Sequence, residues 1–397
     1  MTTEVWITGY GAETAAGHGV MALAQLLESE GSAVAPRAAL DGRAAGACGE
    51  IPRSRFARRM DRSGQLFHAA CSEAWQAAGL GGWSAGARAG LVEGSSLGPM
   101  CGVLEDHARA LDDPRERNRP SRLTRFMTGV GGSVFAQEAG LRGPVIHLSA
   151  GSVSATCAIG EAYQRIAAGW LDVVVAGGAE TPLHPEIMGT FASSGVLSPE
   201  SASATPCLPF DARRSGTVLG EGAAALVIER ADHARARGAS PVARISGYGF
   251  CTEAFDLTAP DPSGRGVVEA VRNALGTRPV SSVGWIKAHG TGTRQGDAAE
   301  ARALQQLFGD ALPAVPIAAL KPALGHCLGA SGGVEAAAAL VAMERGFVPA
   351  TVGFREADAE LPVTRIAPNR LVPGRPTVLL LSESFGGRCA ALVLDAA

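Results

Sequence analysis

The sequence has few aromatic residues, little net charge and no long apolar run. Phe, Trp and Tyr make up 5% of its 397 residues, and the formal net charge is −3. A nearly neutral chain lacks the strong basic field of a nucleic-acid-binding protein, so we expect no nucleic-acid partner. No apolar stretch reaches about 18 residues, so we expect no membrane span. The first residues lack a basic segment followed by an apolar stretch, so no secretory signal is predicted.

The eight cysteines form no Cys-x-x-Cys pair. They are scattered over positions 48, 71, 101, 157, 207, 251, 327 and 389. Structural zinc sites draw on closely spaced Cys and His ligands, so we expect no metal site. Scattered thiols are typical of a reducing compartment, and we therefore expect a cytoplasmic protein.

Glycine and apolar residues, by contrast, are abundant. The chain has 52 glycines and is 46% hydrophobic, which is enough to build a large core with many tight turns. Short apolar runs predict strands at 5–9, 145–148, 173–177, 226–228, 283–286, 378–381 and 391–394. Helical spacing at Ala155, Ile159, Ala162 and Ile166 predicts a helix that ends before Gly169. Strands that alternate with helices predict an α/β fold with mostly parallel sheets.

The order of these elements indicates two similar halves. Each half contains a strand, a turn of small residues, a helix that ends at glycine, another strand and a glycine-rich turn. We predict an N-terminal half over 1–244 and a C-terminal half over 245–397. No low-complexity linker separates them, so the two halves are expected to form one fused unit.

Two histidines lie in glycine-flanked turns. His289 belongs to the segment Lys-Ala-His-Gly-Thr-Gly-Thr, and His326 to Lys-Pro-Ala-Leu-Gly-His. Paired neutral imidazoles can hydrogen-bond to a developing enolate or oxyanion. Lys321 is a candidate for a fixed positive charge, and Glu335 is a candidate to orient His326 or a water. A lone histidine is more often structural, and that alternative remains open for each of them.

Several ordered motifs resemble the β-ketoacyl-ACP synthases, the elongating condensing enzymes of the thiolase superfamily. Besides the two histidine segments, the matching stretches are 7–11, 58–61, 140–144, 176–180, 209–211 and 220–223. The resemblance covers nearly the whole chain. It implies a thiolase-like fold of two similar halves, each built on a mixed sheet, in a layered αβαβα arrangement. It also implies a homodimer or a heterodimer with another ketosynthase chain. It also implies no bound cofactor, because the acyl substrate arrives as a thioester on the phosphopantetheine arm of an acyl carrier protein.

The resemblance also implies roles for individual residues. His289 and His326 would decarboxylate a malonyl unit and stabilise its enolate. Thr291 and Thr293 would line the pantetheine channel. Arg58 and Arg59 would form a basic patch that docks the acidic carrier protein, although an arginine pair is more often only a solvated surface.

The nucleophile position departs from the family pattern. Counting from 159–160 and from 176–178, without a gap, places Ser152 where the family has its cysteine. A helix N-terminus can lower the pKa of a cysteine into the neutral range, but a serine needs a general base such as His289 or His326. An oxygen ester also reacts less readily with a carbanion than a thioester does. The alternative is that Ser152 only caps the following helix.

The C-terminal loop departs as well. The family's Asn-Ser-Phe-Gly-Phe-Gly-Gly is here Leu-Ser-Glu-Ser-Phe-Gly-Gly at 381–387. Phe385 matches the second aromatic, and Glu383 stands where the resemblance implies a phenylalanine that gates the acyl pocket. A carboxylate at that position would reject apolar chains, pair with a cation, or indicate that the gate is out of use.

Two hypotheses follow for the function. The first is an acyltransferase or decarboxylase of fatty-acid or polyketide biosynthesis that uses Ser152, His289, His326, Lys321 and Glu335. The second is a non-catalytic partner like the chain-length-factor subunits, which pair with an active ketosynthase. The retained polar groups favour the first, and the missing thiol and altered loop favour the second.

Overall fold

The structure is a computed structural model that describes residues 3–51, 54–83, 86–200, 205–363 and 365–397. The strands are β1 (Val5–Thr14), β2 (Gly17–His18), β3 (Ala35–Pro36), β4 (Ala44–Ala45), β5 (Ala89–Gly94), β6 (Val145–Leu148), β7 (Val173–Glu180), β8 (Gly222–Arg230), β9 (Ala243–Thr252), β10 (Trp285–Lys287), β11 (Ile317–Ala318), β12 (Thr377–Ser384) and β13 (Arg388–Ala396). The α-helices are α1 (Gly19–Glu28), α2 (Arg62–Ala77), α3 (Met100–Asp112), α4 (Ser121–Phe126), α5 (Val130–Ala139), α6 (Ser154–Ala167), α7 (Pro185–Ser193), α8 (Ala231–Ala236), α9 (Arg265–Leu275), α10 (Arg294–Phe308), α11 (Lys321–Leu324) and α12 (Ser331–Arg345).

One continuous path of strands contains the same five-strand pattern twice. Its order is β11-β10-β12-β13-β9-β1-β8-β7-β5-β6. In the first half β6, β5 and β7 are parallel, whereas β8 and β1 are antiparallel to their neighbours. In the second half β11, β10 and β12 repeat the parallel part, and β13 and β9 repeat the antiparallel part. The expectation of mostly parallel sheets, drawn from the alternation of strands and helices, is therefore wrong. The mixed sheet in each half, which the family resemblance implies, is confirmed.

The helices divide into a central layer and two outer layers. α6 contacts β5 and β7 of the first half and also β9 and β13 of the second. α12 contacts β7 and β8 on one side and β12 on the other, so both helices lie between the two halves. α2 and α5 cover the outside of the first half, and α9 covers the outside of the second with α10 packed against it. This arrangement confirms the predicted αβαβα layering.

The central helix α12 is largely apolar, and most of its length is covered on all sides. Residues 331–342 of α12 are all buried, which is the pattern of a helix inside a core rather than on its surface. Close packing with α6 needs glycine at 332, since a Cβ there would lie 1.9 Å from Oγ1 of Thr156. Both central helices begin at the candidate site, so this packing fixes the position of the chemistry.

The remaining sequence-based expectations for the fold have mixed outcomes. The β6 strand has the predicted bounds, and the predicted helix before Gly169 is α6. None of the helices in the described parts of the chain is long and apolar enough to cross a membrane. The division into 1–244 and 245–397 stays a prediction, with its boundary near the start of β9.

Candidate active site

The nucleophile turn connects β6 to α6. Gly151 has φ +66°, a conformation that glycine adopts without strain, and it turns the chain into the helix. The hydroxyl of Ser154 accepts the backbone N–H of Ala150 at 2.8 Å and donates to the carbonyl of Gly151 at 2.6 Å, which stabilises the turn. α6 begins after Val153, where no side chain caps the helix. Ser152 therefore does not serve as the cap residue, the role left open by the sequence.

The Ser152 hydroxyl instead faces a histidine. Its Oγ lies 3.3 Å from Nε2 of His326. The opposite ring nitrogen of His326, Nδ1, lies 2.9 Å from Oγ of Ser331 at the start of α12. If Nδ1 carries the proton and donates it to Ser331, Nε2 is free to accept the proton of Ser152. The contacts thus allow a serine–histidine–serine chain of hydrogen bonds.

His289 lies at the end of β10 and is held mainly by charged groups. The carboxylate of Glu300 accepts the backbone N–H groups of His289 at 2.6 Å and of Gly290 at 2.8 Å. Nζ of Lys321 lies 3.2 Å from Nδ1 of His289 and also donates to the carbonyl of His289. An ammonium group can only donate, so Nδ1 must accept. Neutral His289 consequently carries its proton on Nε2, the nitrogen not held by Lys321.

The two imidazoles lie edge to face at the centre of the site. Their ring centroids are 5.4 Å apart with an interplanar angle of 82°. Burial, followed by the nearby charge of Lys321, lowers the pKa of each histidine well below its ordinary value. Both rings are therefore neutral at physiological pH. This state suits His289 to donate a hydrogen bond and His326 to accept a proton.

A buried ion cluster lies behind the histidines. Glu335 of α12 pairs with Lys321 at 2.9 Å and also with Lys287, whose Nζ donates to the carbonyl of Leu381 at 2.5 Å. Both lysine side chains are 0% exposed, and burial lowers the pKa of Lys287. Glu335 therefore positions the lysines, whereas the ring of His326 is held by Ser331.

The turn after His289 is anchored by Asp297. This carboxylate accepts the backbone N–H of Phe210 at 2.7 Å and of Gly292 at 3.0 Å. Burial raises its pKa to about 7. The hydroxyls of Thr291 and Thr293 lie 2.9 Å apart, and Oγ1 of Thr293 accepts the backbone N–H of Gly296 as the cap of α10. Both threonines are partly exposed beside His289, and their role in lining a channel stays a prediction.

The end of β12 reaches the nucleophile turn through Ser384. Its Oγ accepts the backbone N–H of Ser152 at 2.8 Å. It also lies 2.1 Å from the place where a Cβ on Gly151 would be. A backbone N–H next to a nucleophile at a helix N-terminus is a donor that can stabilise an oxyanion. In this structure that N–H already donates its hydrogen bond to the Ser384 hydroxyl.

Glu383 points to the opposite face of β12. Successive side chains of a strand alternate, and Ser382 and Ser384 both face α6. Burial raises the pKa of Glu383 well above its ordinary value, and so do the neighbouring Glu300, Glu253 and Asp297. Its Oε1 atom is buried without a hydrogen-bond partner among the described residues. These surroundings favour the protonated form of Glu383, and its effect on the acyl chain stays a prediction.

The other predicted binding residues are exposed. Phe385 is 45% exposed in the turn that follows β12. Arg58 and Arg59 lie in a short 3₁₀ helix (Ala57–Arg59) on the surface, and the Arg59 guanidinium stacks over the Phe56 ring at 5.6 Å. The structure does not bring these arginines near the histidines. Docking of a carrier protein at this point stays a prediction.

Sequence reasoning assigned no role to Lys287, Ser331 or Ser384. The composition does contain one signal for Lys287. Lys287 and Lys321 are the only lysines in the sequence, and apart from histidine every other cationic side chain is an arginine. Nothing in the spacing indicates that Ser331 and Ser384 meet His326 and Ser152. Among the described residues, no group of three or more His, Cys, Asp or Glu side chains could hold a metal ion.

Comparison with known proteins identifies the family of this arrangement. Two family models match, the β-ketoacyl synthase N-terminal domain over residues 2–234 and its C-terminal domain over 242–355. The ketoacyl synthase alpha subunit of the tetracenomycin polyketide synthase from Streptomyces glaucescens is 33% identical, over 98% of this chain and 96% of that protein. 3-Oxoacyl-[acyl-carrier-protein] synthase 2 of Staphylococcus aureus is 33% identical, over 85% of this chain and 82% of that protein.

Solved structures show the same similarity. The ishigamide ketosynthase/chain length factor matches with a TM-score of 0.91 and 27% identity, over 100% of both chains. A type II polyketide acyl-carrier protein in complex with its ketosynthase bound to the hexaketide, AntDE:AntF, also matches with a TM-score of 0.91. Its matching chain is 26% identical, again over 100% of both chains.

Proposed function

This chain belongs to the β-ketoacyl synthase family, and we propose that it takes an acyl group from a carrier-bound thioester onto the Ser152 hydroxyl. The observation that carries the proposal is the 3.3 Å contact between Oγ of Ser152 and Nε2 of His326. A serine hydroxyl needs such a base, because it does not ionise near neutral pH. The low pKa of His326 leaves its ring neutral and able to accept the proton.

The acylation step follows from these positions. Nε2 of His326 takes the Ser152 proton while Oγ attacks the thioester carbon. The tetrahedral intermediate then expels the carrier thiolate, and the histidine returns the proton to that sulfur. The products are an oxygen ester on Ser152 and a free phosphopantetheine thiol on the carrier protein. Nε2–H of His289 is suited to donate to a substrate carbonyl oxygen.

The same histidines support decarboxylation of a malonyl thioester. Loss of CO₂ leaves an enolate whose oxygen carries negative charge. A neutral donor at Nε2 of His289, backed by the Lys321 charge, stabilises that oxygen as it develops. Protonation of the enolate gives an acetyl thioester. This step needs no thiol on the protein, so the change from cysteine to serine leaves it possible.

The direct test is the intact mass of the protein after incubation with an acylated, phosphopantetheine-bearing acyl carrier protein. We expect one acyl adduct on the native chain and none on Ser152→Ala. Ser149→Ala is the matched control, because Ser149 lies exposed on the same turn and donates only to the Ser96 carbonyl at 3.4 Å. An adduct that persists on Ser152→Ala, or no adduct on the native chain, would overturn acyl transfer through Ser152.

A second candidate is a non-catalytic partner of a cysteine-bearing ketosynthase. The Ser384 contact favours it, since the hydroxyl occupies the N–H that acyl transfer would use. Solved relatives include a ketosynthase in complex with its chain length factor, with 24% identity. Native mass spectrometry of this chain co-expressed with a cysteine-bearing ketosynthase of the same family separates the candidates. A stable heterodimer with no adduct on this chain would support the partner role, and a self-acylating homodimer would contradict it.

A further inference from the structure

Two free cysteines face each other across neighbouring strands outside the proposed mechanism. Cys251 lies near the end of β9, and Cys389 lies near the start of β13. In the antiparallel register of these strands the two residues are direct partners. Neither thiol contacts Ser152, His289 or His326. No other cysteine pair is opposed in this way in the strands of the described chain.

Both side chains point to the same face of the sheet, toward the start of α9. Sγ of Cys251 donates to the carbonyl of Gly266 at 3.1 Å. A Cβ built on Gly266 would lie 2.7 Å from Sγ of Cys389, so that sulfur lies over the same residue. Both sulfurs therefore lie beside the same residue, Gly266. Two cysteines that are register partners with their sulfurs on one face have the side-chain orientation that a disulfide requires.

The backbone spacing also suits a disulfide. Directly opposed residues in an antiparallel pair have Cα atoms about 4.5 or 5.5 Å apart, depending on their hydrogen-bonding position. Disulfide-linked cysteines have Cα atoms about 4.4–6.8 Å apart. Both kinds of opposed pair fall in this range, so a bond can form without separating the strands.

We propose that Cys251 and Cys389 are a thiol-oxidation site that closes to an intramolecular disulfide on exchange with a small disulfide such as oxidised glutathione. The Cys251 thiolate attacks one sulfur of oxidised glutathione, which releases one glutathione thiolate and forms a mixed disulfide. The Cys389 thiol loses its proton and attacks Sγ of Cys251, which releases the second glutathione. Two protein thiols are oxidised, and one glutathione disulfide is reduced to two thiols.

Exposure determines the order of these attacks. Cys251 is partly exposed, whereas Cys389 is 2% exposed. The neighbouring Cys389 thiol lowers the pKa of Cys251, and the neighbouring Cys251 together with burial raises the pKa of Cys389. Cys251 is thus the thiol that meets the oxidant, and Cys389 is the thiol that resolves the mixed disulfide.

The bond would lie beside the altered loop of the candidate site. Cys389 is also the register partner of Glu383 on β12 and follows the turn that contains Phe385. A disulfide would therefore join β9 to β13 at the base of this turn. The inference does not depend on acyl transfer, because it concerns only the two thiols and their strands.

The test uses the full-length reduced protein with oxidised glutathione, followed by alkylation, intact mass measurement and peptide mapping. We expect a mass decrease of two hydrogen atoms, a peptide linking Cys251 to Cys389, and reversal by dithiothreitol. Cys389→Ser should instead accumulate a glutathione adduct on Cys251. Cys251→Ser should give no cross-link, and the control Cys48→Ser should keep the native one.

Two outcomes would overturn the inference. One is a stable glutathione adduct on Cys251 of the native protein, which would show that Cys389 does not reach it. The other is a native protein in which, after treatment with oxidised glutathione and unfolding, both Cys251 and Cys389 are still alkylated. Both are read from the native protein, so they hold even if a cysteine variant does not fold.

Discussion

The two sides of the candidate site differ in how completely their polar groups are partnered. On the histidine side, His289, His326, Lys321 and Glu335 all have hydrogen-bond or ionic partners within the chain. On the nucleophile side, the backbone N–H of Ser152 is occupied by Ser384, and nearby on the other face of β12 an oxygen of Glu383 has no partner among the described residues. Apart from the contact between Ser152 and Nε2 of His326, the histidine side is held by groups outside the nucleophile turn. We therefore predict that the site supports enolate stabilisation better than carbon–carbon bond formation.

Two buried carboxylates show the same contrast between a partnered and a poorly partnered group. Glu335, in the second half, is paired with two lysines. Glu93, in the first half, is 5% exposed and accepts only the backbone N–H of Gly132 at 3.2 Å. Burial raises the pKa of Glu93 to about 8. Burial without a cationic partner thus favours the neutral form of Glu93 at physiological pH.

The largest expected effect comes from breaking the buried ion cluster. Lys321→Met keeps much of the side-chain volume but leaves Glu335 with one lysine and His289 without its ammonium. We expect the free energy of unfolding to fall by about 3–5 kcal/mol, because the variant breaks the buried Lys321–Glu335 pair and leaves the buried carbonyl of His289 without its ammonium donor. Urea unfolding measures it. Arg115→Met is the control, since the Arg115–Asp113 pair is exposed. A loss as small as that of the control would mean that the buried Lys321–Glu335 pair does not stabilise the fold.

The pH dependence of stability tests the second buried acid of the comparison, Glu93. Below pH 4.5 Glu93 is protonated in both states. As the pH rises past 4.5, the unfolded chain releases this proton while the folded chain keeps it until about pH 8. Rising pH therefore destabilises the fold across this window, by about 3 kcal/mol between pH 5 and 8. Glu93→Gln should remove this loss in urea unfolding at the two pH values, whereas Glu50→Gln, at an exposed position, should not. Equal pH slopes in Glu93→Gln and the native chain would contradict the prediction.

The sequence predicted the parts of the fold and site that depend on local pattern. The 145–148 strand, the helix that ends before Gly169 and both histidine turns are all read from short runs of residues. The mostly parallel strand direction predicted from the alternation of strands and helices was wrong. β8 and β13 run antiparallel to their neighbours, and no local pattern in the sequence shows these pairings. The partners Ser331 and Ser384 were missed for a similar reason, since α12 and β12 meet the nucleophile turn only through tertiary packing.

Removing His289 tests the electrostatic side directly. His289→Ala deletes the Nε2–H donor but leaves Ser152 and His326 in place. We expect decarboxylation of malonyl-bound carrier protein to slow by about 10²–10³-fold, the usual cost of losing one preorganised oxyanion donor. His107→Ala, at an exposed histidine on α3, is the control. Release of CO₂ at the native rate from His289→Ala would exclude this imidazole as the donor.

Freeing the Ser152 N–H tests the nucleophile side. Ser384→Ala removes the hydroxyl that accepts this N–H and keeps the Cβ atom of residue 384. If the donor is needed for the tetrahedral intermediate, the acyl adduct on Ser152 should form about tenfold faster, since a freed donor contributes at the transition state. Ser382→Ala is the matched control, because Ser382 faces α6 from the same strand but bonds Oγ1 of Thr156 at 2.7 Å. An adduct that forms more slowly in Ser384→Ala would mean that this hydroxyl positions the turn for reaction. The polar groups on the nucleophile side would then be positioned for reaction as fully as those on the histidine side. The contrast between the two sides would disappear.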